Sequence, residues 1–146
     1  MNLIRAGAAT PKVPIYKSES YKLHQAFEPA TGQTILPGFA VGLDATGKIF
    51  QWKGVGTYLG IATTKANAYG EITVMVQGYA IIHGVAAGEL EAGYVKPGDP
   101  YTGKTDYLSY SQSTQVVGEN TVALPSDFII LVPATAAGQV VPILVK

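Results

Sequence analysis

Gly70-Glu71-Ile72-Thr73-Val74-Met75-Val76-Gln77-Gly78-Tyr79-Ala80-Ile81-Ile82-His83 decides the fold class. Ile72, Val74 and Val76 alternate with Thr73, Met75 and Gln77, the period of two that sends successive side chains to opposite faces of a strand. Gly78 permits a bend or bulge, and Tyr79-Ala80-Ile81-Ile82 resumes as the next strand. The same rhythm extends in both directions. Upstream, Phe39 to Asp44 follows the Pro37-Gly38 turn, and Lys48 to Lys53 follows Asp44-Ala45-Thr46-Gly47, which reads as a hairpin loop. Tyr58 to Thr64 is a further run. Downstream come Gln115 to Val117, Thr121 to Leu124, Phe128 to Val132 and Val140 to Val145.

Seventeen glycines and nine prolines punctuate these runs, more than an average domain carries but short of low complexity. No window of about a dozen residues holds an i, i+3, i+4, i+7 apolar stripe free of Gly and Pro. Val85 to Leu90 offers one helical turn at most. The expected fold is all-β, a small β-barrel or sandwich. The chain is 146 residues long, enough for one domain with an arm attached, and it has no cysteine, so disulfide scaffolds and Cys-based zinc sites are excluded.

Two segments break the rhythm. Residues 1–22 carry Arg5, Lys12, Lys17 and Lys22 against Glu19 alone, with Pro11 and Pro14 opposing regular pairing. A solvated tail is one reading. The apolar content (Leu3, Ile4, Val13, Ile15, Tyr16, Tyr21) suits an extended arm that orders by adding to a partner's sheet edge. The body is then residues 23–146. Within it, residues 103–127 are rich in Ser, Thr and Tyr and read as an extended hairpin or flap insertion. Tyr107 and Tyr110 are there either surface contacts or a cross-strand pair covering the domain.

Charged residues are only 14% of the chain, and ten basic side chains balance ten acidic ones. Zero net charge argues against nucleic acid as a partner. A surface so poor in charge suits a protein partly covered by another protein. Residues 1–65 hold seven basic and three acidic groups and residues 66–146 the reverse, which suits complementary patches between copies or neighbours. No stretch reaches the roughly 18 apolar residues of a membrane span, and no signal peptide is evident, so the expectation is a soluble protein made in a cytoplasm, with no membrane partner.

Catalytic chemistry is sparse. His24 and His83 are far apart and neither has a second histidine at metal-ligand spacing. No Ser lies in G-x-S-x-G, and there is no thiol nucleophile. Glu89 and Glu91, in Ala87-Gly88-Glu89-Leu90-Glu91-Ala92-Gly93, are acid/base candidates only if their environments separate their pKa values, and small flanking residues predict solvent. Gly54-Val55-Gly56-Thr57-Tyr58-Leu59-Gly60 misses the dinucleotide fingerprint by one position and runs into a strand where a helix is required. Trp52, Tyr58, Tyr69 and Tyr79 are candidates for stacking on sugars, with core packing as the alternative. The expectation is no enzyme and no cofactor.

Leu36-Pro37-Gly38-Phe39-Ala40-Val41-Gly42-Leu43-Asp44-Ala45-Thr46-Gly47-Lys48, then Tyr58-Leu59-Gly60-Ile61-Ala62, then Gly70 to Gly78, then Ala92-Gly93-Tyr94-Val95-Lys96-Pro97-Gly98-Asp99-Pro100 make an ordered series. This series resembles the lambda-type head decoration (cement) proteins of tailed phages. About half of the chain is covered, by short glycine-based motifs. The resemblance implies a β-tulip-like knob on the outer capsid surface of a virion, a homo-oligomer with a trimer favoured, and the major capsid protein as partner. The arm's role implied by it falls on Leu3, Ile4, Arg5, Lys12, Val13, Ile15, Tyr16 and Lys17 as capsid-binding residues. The 103–127 insertion is longer than the family pattern, and Pro11 and Pro14 limit how continuously the arm can pair. The alternative function is a phage surface or fibre-base module that recognises host glycans through exposed tyrosines.

Overall fold

The computed structural model describes residues 22–146, and among them the regular structure is all strand, with no helix. β1 (Leu23–Phe27), β2 (Ala40–Leu43), β3 (Ile49–Gln51), β4 (Thr57–Ala62) and β5 (Ile72–Gln77) form an antiparallel sheet in the order β1-β5-β4-β2-β3. β6 (Ala80–Ala86), β7 (Gly93–Tyr101), β8 (Lys104–Gln112), β11 (Phe128–Ile130) and β12 (Val140–Val145) close into a barrel, β11-β12-β6-β8-β7. β9 (Thr114–Val117) and β10 (Asn120–Ala123) pair only with each other, as a hairpin outside both.

Of barrel and sandwich, the second half of the chain takes the barrel. Closure needs one parallel contact, Val85 with Ser109 and Ala86 with Tyr110, because β7 sits between β8 and β11 and the chain must cross the barrel end to reach it. The first sheet also curls. The chain leaving β1 crosses to β3, where Ile49 N–H donates to Glu28 O (3.0 Å) and Ala30 N–H donates to Ile49 O (2.8 Å). Lys48 Nζ fixes this crossing on Glu28 Oε1 at 2.8 Å.

One hydrophobic core joins the two halves. Phe39, Val41, Ile49, Ile72 and Val74 from the sheet belong to the same buried cluster as Val95, Leu108, Tyr110, Phe128, Ile130 and Ile143 from the barrel. The aromatic seam is explicit. The Trp52 ring lies 5.0 Å from Tyr58 and stacks on Phe128 at 6.3 Å, while Phe128 meets Tyr58 edge-on at 5.5 Å and Tyr110 at 5.8 Å. Such pairs add to the area they bury, each about 0.5–1.5 kcal/mol.

The glycine motifs have steric causes at two positions. A Cβ on Gly60, in the Gly60-Ile61-Ala62 strand, would collide with the Met75 carbonyl oxygen of the neighbouring strand. A Cβ on Gly84 would enter the Tyr110 ring and crowd Ile143 inside the barrel.

Two expectations are corrected. Val85–Leu90 holds no helical turn, since it is strand to Ala86 and then bends so that Leu90 and Ala134 exchange N–H···O bonds of 3.0 and 2.9 Å. Residues 103–127 divide: Lys104–Gln112 is barrel wall with Leu108 and Tyr110 buried, and only Thr114–Ala123 projects.

Candidate functional site

The eight arm residues Leu3, Ile4, Arg5, Lys12, Val13, Ile15, Tyr16 and Lys17 lie outside the described residues. The description begins at Lys22, whose side chain packs against Gly78 at the turn between β5 and β6. The strand that follows is unusual. β1 pairs with β5 from Leu23–Gln77 to Phe27–Ile72, yet Leu23, His24, Gln25 and Ala26 are all exposed. Its second edge has no partner among the described residues.

β3, at the other end of the same sheet, is treated differently. The Glu28–Ala30 crossing covers part of its edge, and Gln33 Oε1 accepts from Gln51 N–H at 2.8 Å. Edge strands are ordinarily blunted by charge, proline or cover. Leu23-His24-Gln25-Ala26-Phe27 contains neither lysine nor proline, and only a register shift at Leu23/His24 disturbs it. The sequence gives no warning of this strand, because its five residues lack clear alternation and follow a proline-containing leader.

The β9–β10 hairpin is the second exposed feature. All eight of its strand residues are exposed, Val116 at 72% and Val117 at 56%. Its root is firmly closed: buried Ser113 donates from Oγ to Leu124 O at 2.7 Å and from N–H to Tyr94 O at 3.0 Å, and Leu124 N–H returns to Ser113 O at 2.9 Å.

Beside that root a groove of about 1080 Å³ opens at one end of the barrel, bounded by residues 89–94, the hairpin and residues 133–135. Gln112 sets one wall, accepting from Glu91 N–H at 2.9 Å and donating to Glu91 O at 3.1 Å and Tyr94 O at 3.2 Å. Glu89 and Glu91 are both exposed on its rim, and among the described residues no lysine or arginine lines it.

The titratable groups do not assemble into a reacting centre. Among the described residues no three His, Asp or Glu side chains approach closely enough to hold a metal ion. His83 lies mid-strand in β6 and is exposed, and His24 is on β1. Burial pushes the Tyr58 hydroxyl well above the usual tyrosine range, with the Asp127 charge adding to it. Tyr110 shifts the same way, first through burial and then through Tyr58. Both stay neutral and hydrophobic in role. Asp44 moves down because the Thr46 hydroxyl (2.6 Å) and the Lys48 N–H (3.0 Å) bond its carboxylate, an arrangement that holds the β2–β3 turn.

Of the stacking candidates, Trp52 and Tyr58 belong to the aromatic seam, while Tyr69 is 84% and Tyr79 48% exposed. Tyr110 is 1% exposed, so a surface pair of Tyr107 and Tyr110 does not exist. No protein-family model matches the chain, and no curated protein and no solved structure is significantly similar to it.

Proposed function

We propose that this chain is a structural subunit that decorates the outer surface of an assembled phage head and stabilises it by bridging neighbouring copies of the major capsid protein. The leader and β1 together form the grip. The observation that carries the reading is β1 itself: an edge strand without Lys, Arg, Asp or Glu, exposed from Leu23 to Ala26, unpaired on its outer side among the described residues, preceded by a basic and apolar leader, in a chain that covers part of its other sheet edge. Main-chain groups left open in this way suit strand addition, in which the backbone supplies affinity and side chains supply specificity. The ordered glycine motifs supply the resemblance to head decoration proteins, and with it the expectation of a homo-oligomer, a trimer first.

Such a role needs no catalytic group. A protein that binds the assembled lattice and not its separated subunits stabilises the lattice by mass action. Repetition over the shell supplies effective concentration, so each contact can be modest. Bridging neighbours also raises the barrier to their separation under internal pressure.

The test uses heads stripped of this protein. Full chain and a variant lacking residues 1–20 are added to them, and bound protein is measured after sedimentation. The truncated protein is expected to stay folded and to lose occupancy at concentrations where the full chain saturates. Gln25→Lys, which places a charge on the open edge, is expected to weaken binding with the leader intact. Unchanged occupancy in both variants overturns the proposal.

A further inference from the structure

We propose that copies of this chain pack on one another through the outer wall of the barrel around β12, with Leu131 and Val132 of one copy seated in the groove beside Ile81 and His83 of the next. This goes beyond the head-binding reading and does not rest on it, because the contact uses neither the leader nor β1.

The first observation is chemical. A barrel strand buries one side and shows the other to solvent, so its outward positions are ordinarily polar. β8 follows the rule: Leu108 and Tyr110 are buried, and Ser109 and Ser111 point the other way. β6, β12 and β11 break it. Ile82, Val141, Ile143 and Val145 are buried inside, which leaves Ile81 and His83 outward on β6 and Val140, Pro142 and Leu144 outward on β12. Ile129 does the same on β11, and Leu131 follows it beyond the strand. None of these is acidic, and none is lysine or arginine. Register sets them in rows, with Leu144 opposite both Ile81 and Ile129, and Pro142 opposite His83.

The second is area. Ile81, Leu131, Val132 and Val140 are between 41 and 59% exposed, and Pro142 is exposed beside them. Together they present about 500 Å² of apolar surface, at the upper end of what a monomer leaves open in one patch. A standard interface takes about 800 Å² from each partner, and between like subunits roughly 65% of that is apolar. The wall supplies that apolar centre.

The third is shape, and it selects a second copy. On the β6 flank a groove of about 370 Å³ lies between barrel and first sheet, where Ile81, His83 and Tyr107 face Pro37 and Met75, with Asp106 beside them. On the β11 flank Leu131 and Val132 stand exposed past the last ladder pair, Ile130 with Ile143. One chain thus carries both a knob and a hole. It cannot fill its own hole, because β12 and β6 stand between, about 10 Å of sheet at ~4.8 Å per strand. Zero net charge leaves little repulsion between copies. A knob on one flank and a hole on the other make a head-to-tail contact, which closes into a ring where the rotation allows.

The experiment measures the mass of the full chain by light scattering after size exclusion, from low micromolar to about 100 μM, in low salt and in sulfate. The expected result is an oligomer that sulfate strengthens, as for apolar contacts. Leu131→Glu on the knob and Ile81→Glu in the hole each weaken association at least about tenfold, since each buries an unpaired carboxylate, and the first also meets Asp106. Both positions are exposed, so circular dichroism should report an unchanged fold. Mixing the two variants provides the decisive reading. The intact hole of Leu131→Glu and the intact knob of Ile81→Glu should join one molecule of each into a dimer and nothing larger. A monomer at every concentration overturns the inference, as does association that neither substitution weakens, or a mixture that stays monomeric. If a monomeric full chain still binds stripped heads and Leu131→Glu abolishes that binding, the wall belongs to the capsid protein, and this inference falls while the head-binding reading stands.

Discussion

Replacing Tyr110 by Phe should stabilise the protein. Tyr110 is 1% exposed, its ring fills the barrel against Phe128, and its hydroxyl has no hydrogen-bond partner among the described residues. A buried polar group left unpaired costs about 1–3 kcal/mol, whereas the ring supplies the packing that the barrel needs. Removing only the oxygen returns most of that cost and forfeits a few weak contacts, for an expected gain of about 1 kcal/mol. For a chain of this size that corresponds to a rise of roughly 2–4 °C in Tm. The assay is urea unfolding followed by Trp52, the single tryptophan, whose ring stacks on Phe128. The effect should depend on pH. Burial raises the folded-state pKa of Tyr110 above its unfolded value near 10, so the unfolded chain releases the proton first and wild-type stability falls as pH climbs past 10. Tyr110→Phe removes that loss, and its advantage over wild type should widen between pH 9 and 11. Tyr58, half-buried and also shifted upward, supplies the control that isolates one titration from the other. A loss of stability beyond about 0.5 kcal/mol at pH 7 refutes the reasoning, because it means that the hydroxyl has a partner.

On the acid side, Glu28 and Asp44 have lowered pKa values, Glu28 through Lys48 and Asp44 mainly through Thr46. A carboxyl whose folded pKa lies below its unfolded one contributes stability above the unfolded value and loses it as pH falls through the folded one. Stability should therefore decline below about pH 4.5, and Glu28→Gln with Asp44→Asn should flatten that limb of a pH–Tm profile. Gly60→Ala is expected to cost about 3 kcal/mol or to prevent folding, since the obstacle is the Met75 backbone, and chemical denaturation measures it. Excising Thr114–Ala123 and joining Ser113 to Leu124 through two glycines should change stability by less than about 1 kcal/mol, because no strand residue of the hairpin is buried and the root closes itself through Ser113. A large loss in calorimetry would show that the hairpin supports the barrel.

Most of the strands legible in the sequence have a buried face, while Gln115–Val117 and Thr121–Leu124 read as strands from their β-branched residues although β9 and β10 are wholly exposed. Ile72 and Val74 alternate with Thr73 because one side of β5 meets the core, and Phe128 and Ile130 flank Ile129 for the same reason. β8 was legible only in part: Tyr107, Leu108 and Tyr110 stand among Ser, Thr and Gln, and that polar company reads as surface, although a barrel wall needs only every second residue to be apolar. β1 was not legible at all, since only Phe27 turns toward the core and Leu23-His24-Gln25-Ala26 lacks the β-branched residues that mark β9 and β10. The same logic hid the groove, which comes from three distant segments. Glu89 and Glu91 attract notice in the sequence as a possible acid–base pair, and the fold gives them instead a shared rim without a third titratable partner.

The outer edge of β1, unpaired among the described residues, bears on why the charges sit where they do. An edge strand without Lys, Arg, Asp or Glu, exposed from Leu23 to Ala26 and unpaired on its outer side among the described residues, invites indiscriminate pairing between copies, and a protein of zero net charge has little repulsion to prevent it. Native edges are commonly guarded by lysine and proline, and here both occur just upstream of the strand, at Pro11, Lys12, Pro14, Lys17 and Lys22, while none occurs within it. Guard and adhesive are thus neighbours in sequence but separate residues. Placing the charge on the edge itself would also block strand addition by the intended partner. On the proposed function, charge placed on the leader leaves the edge competent and makes recognition favour a partner with a complementary acidic surface. On this argument Lys12→Ala/Lys17→Ala should lower solubility as well as specific binding, whereas Gln25→Lys should raise solubility at the expense of binding. Light scattering at high protein concentration separates the two variants. If both changed solubility in the same direction, the division of roles between leader and edge would be wrong.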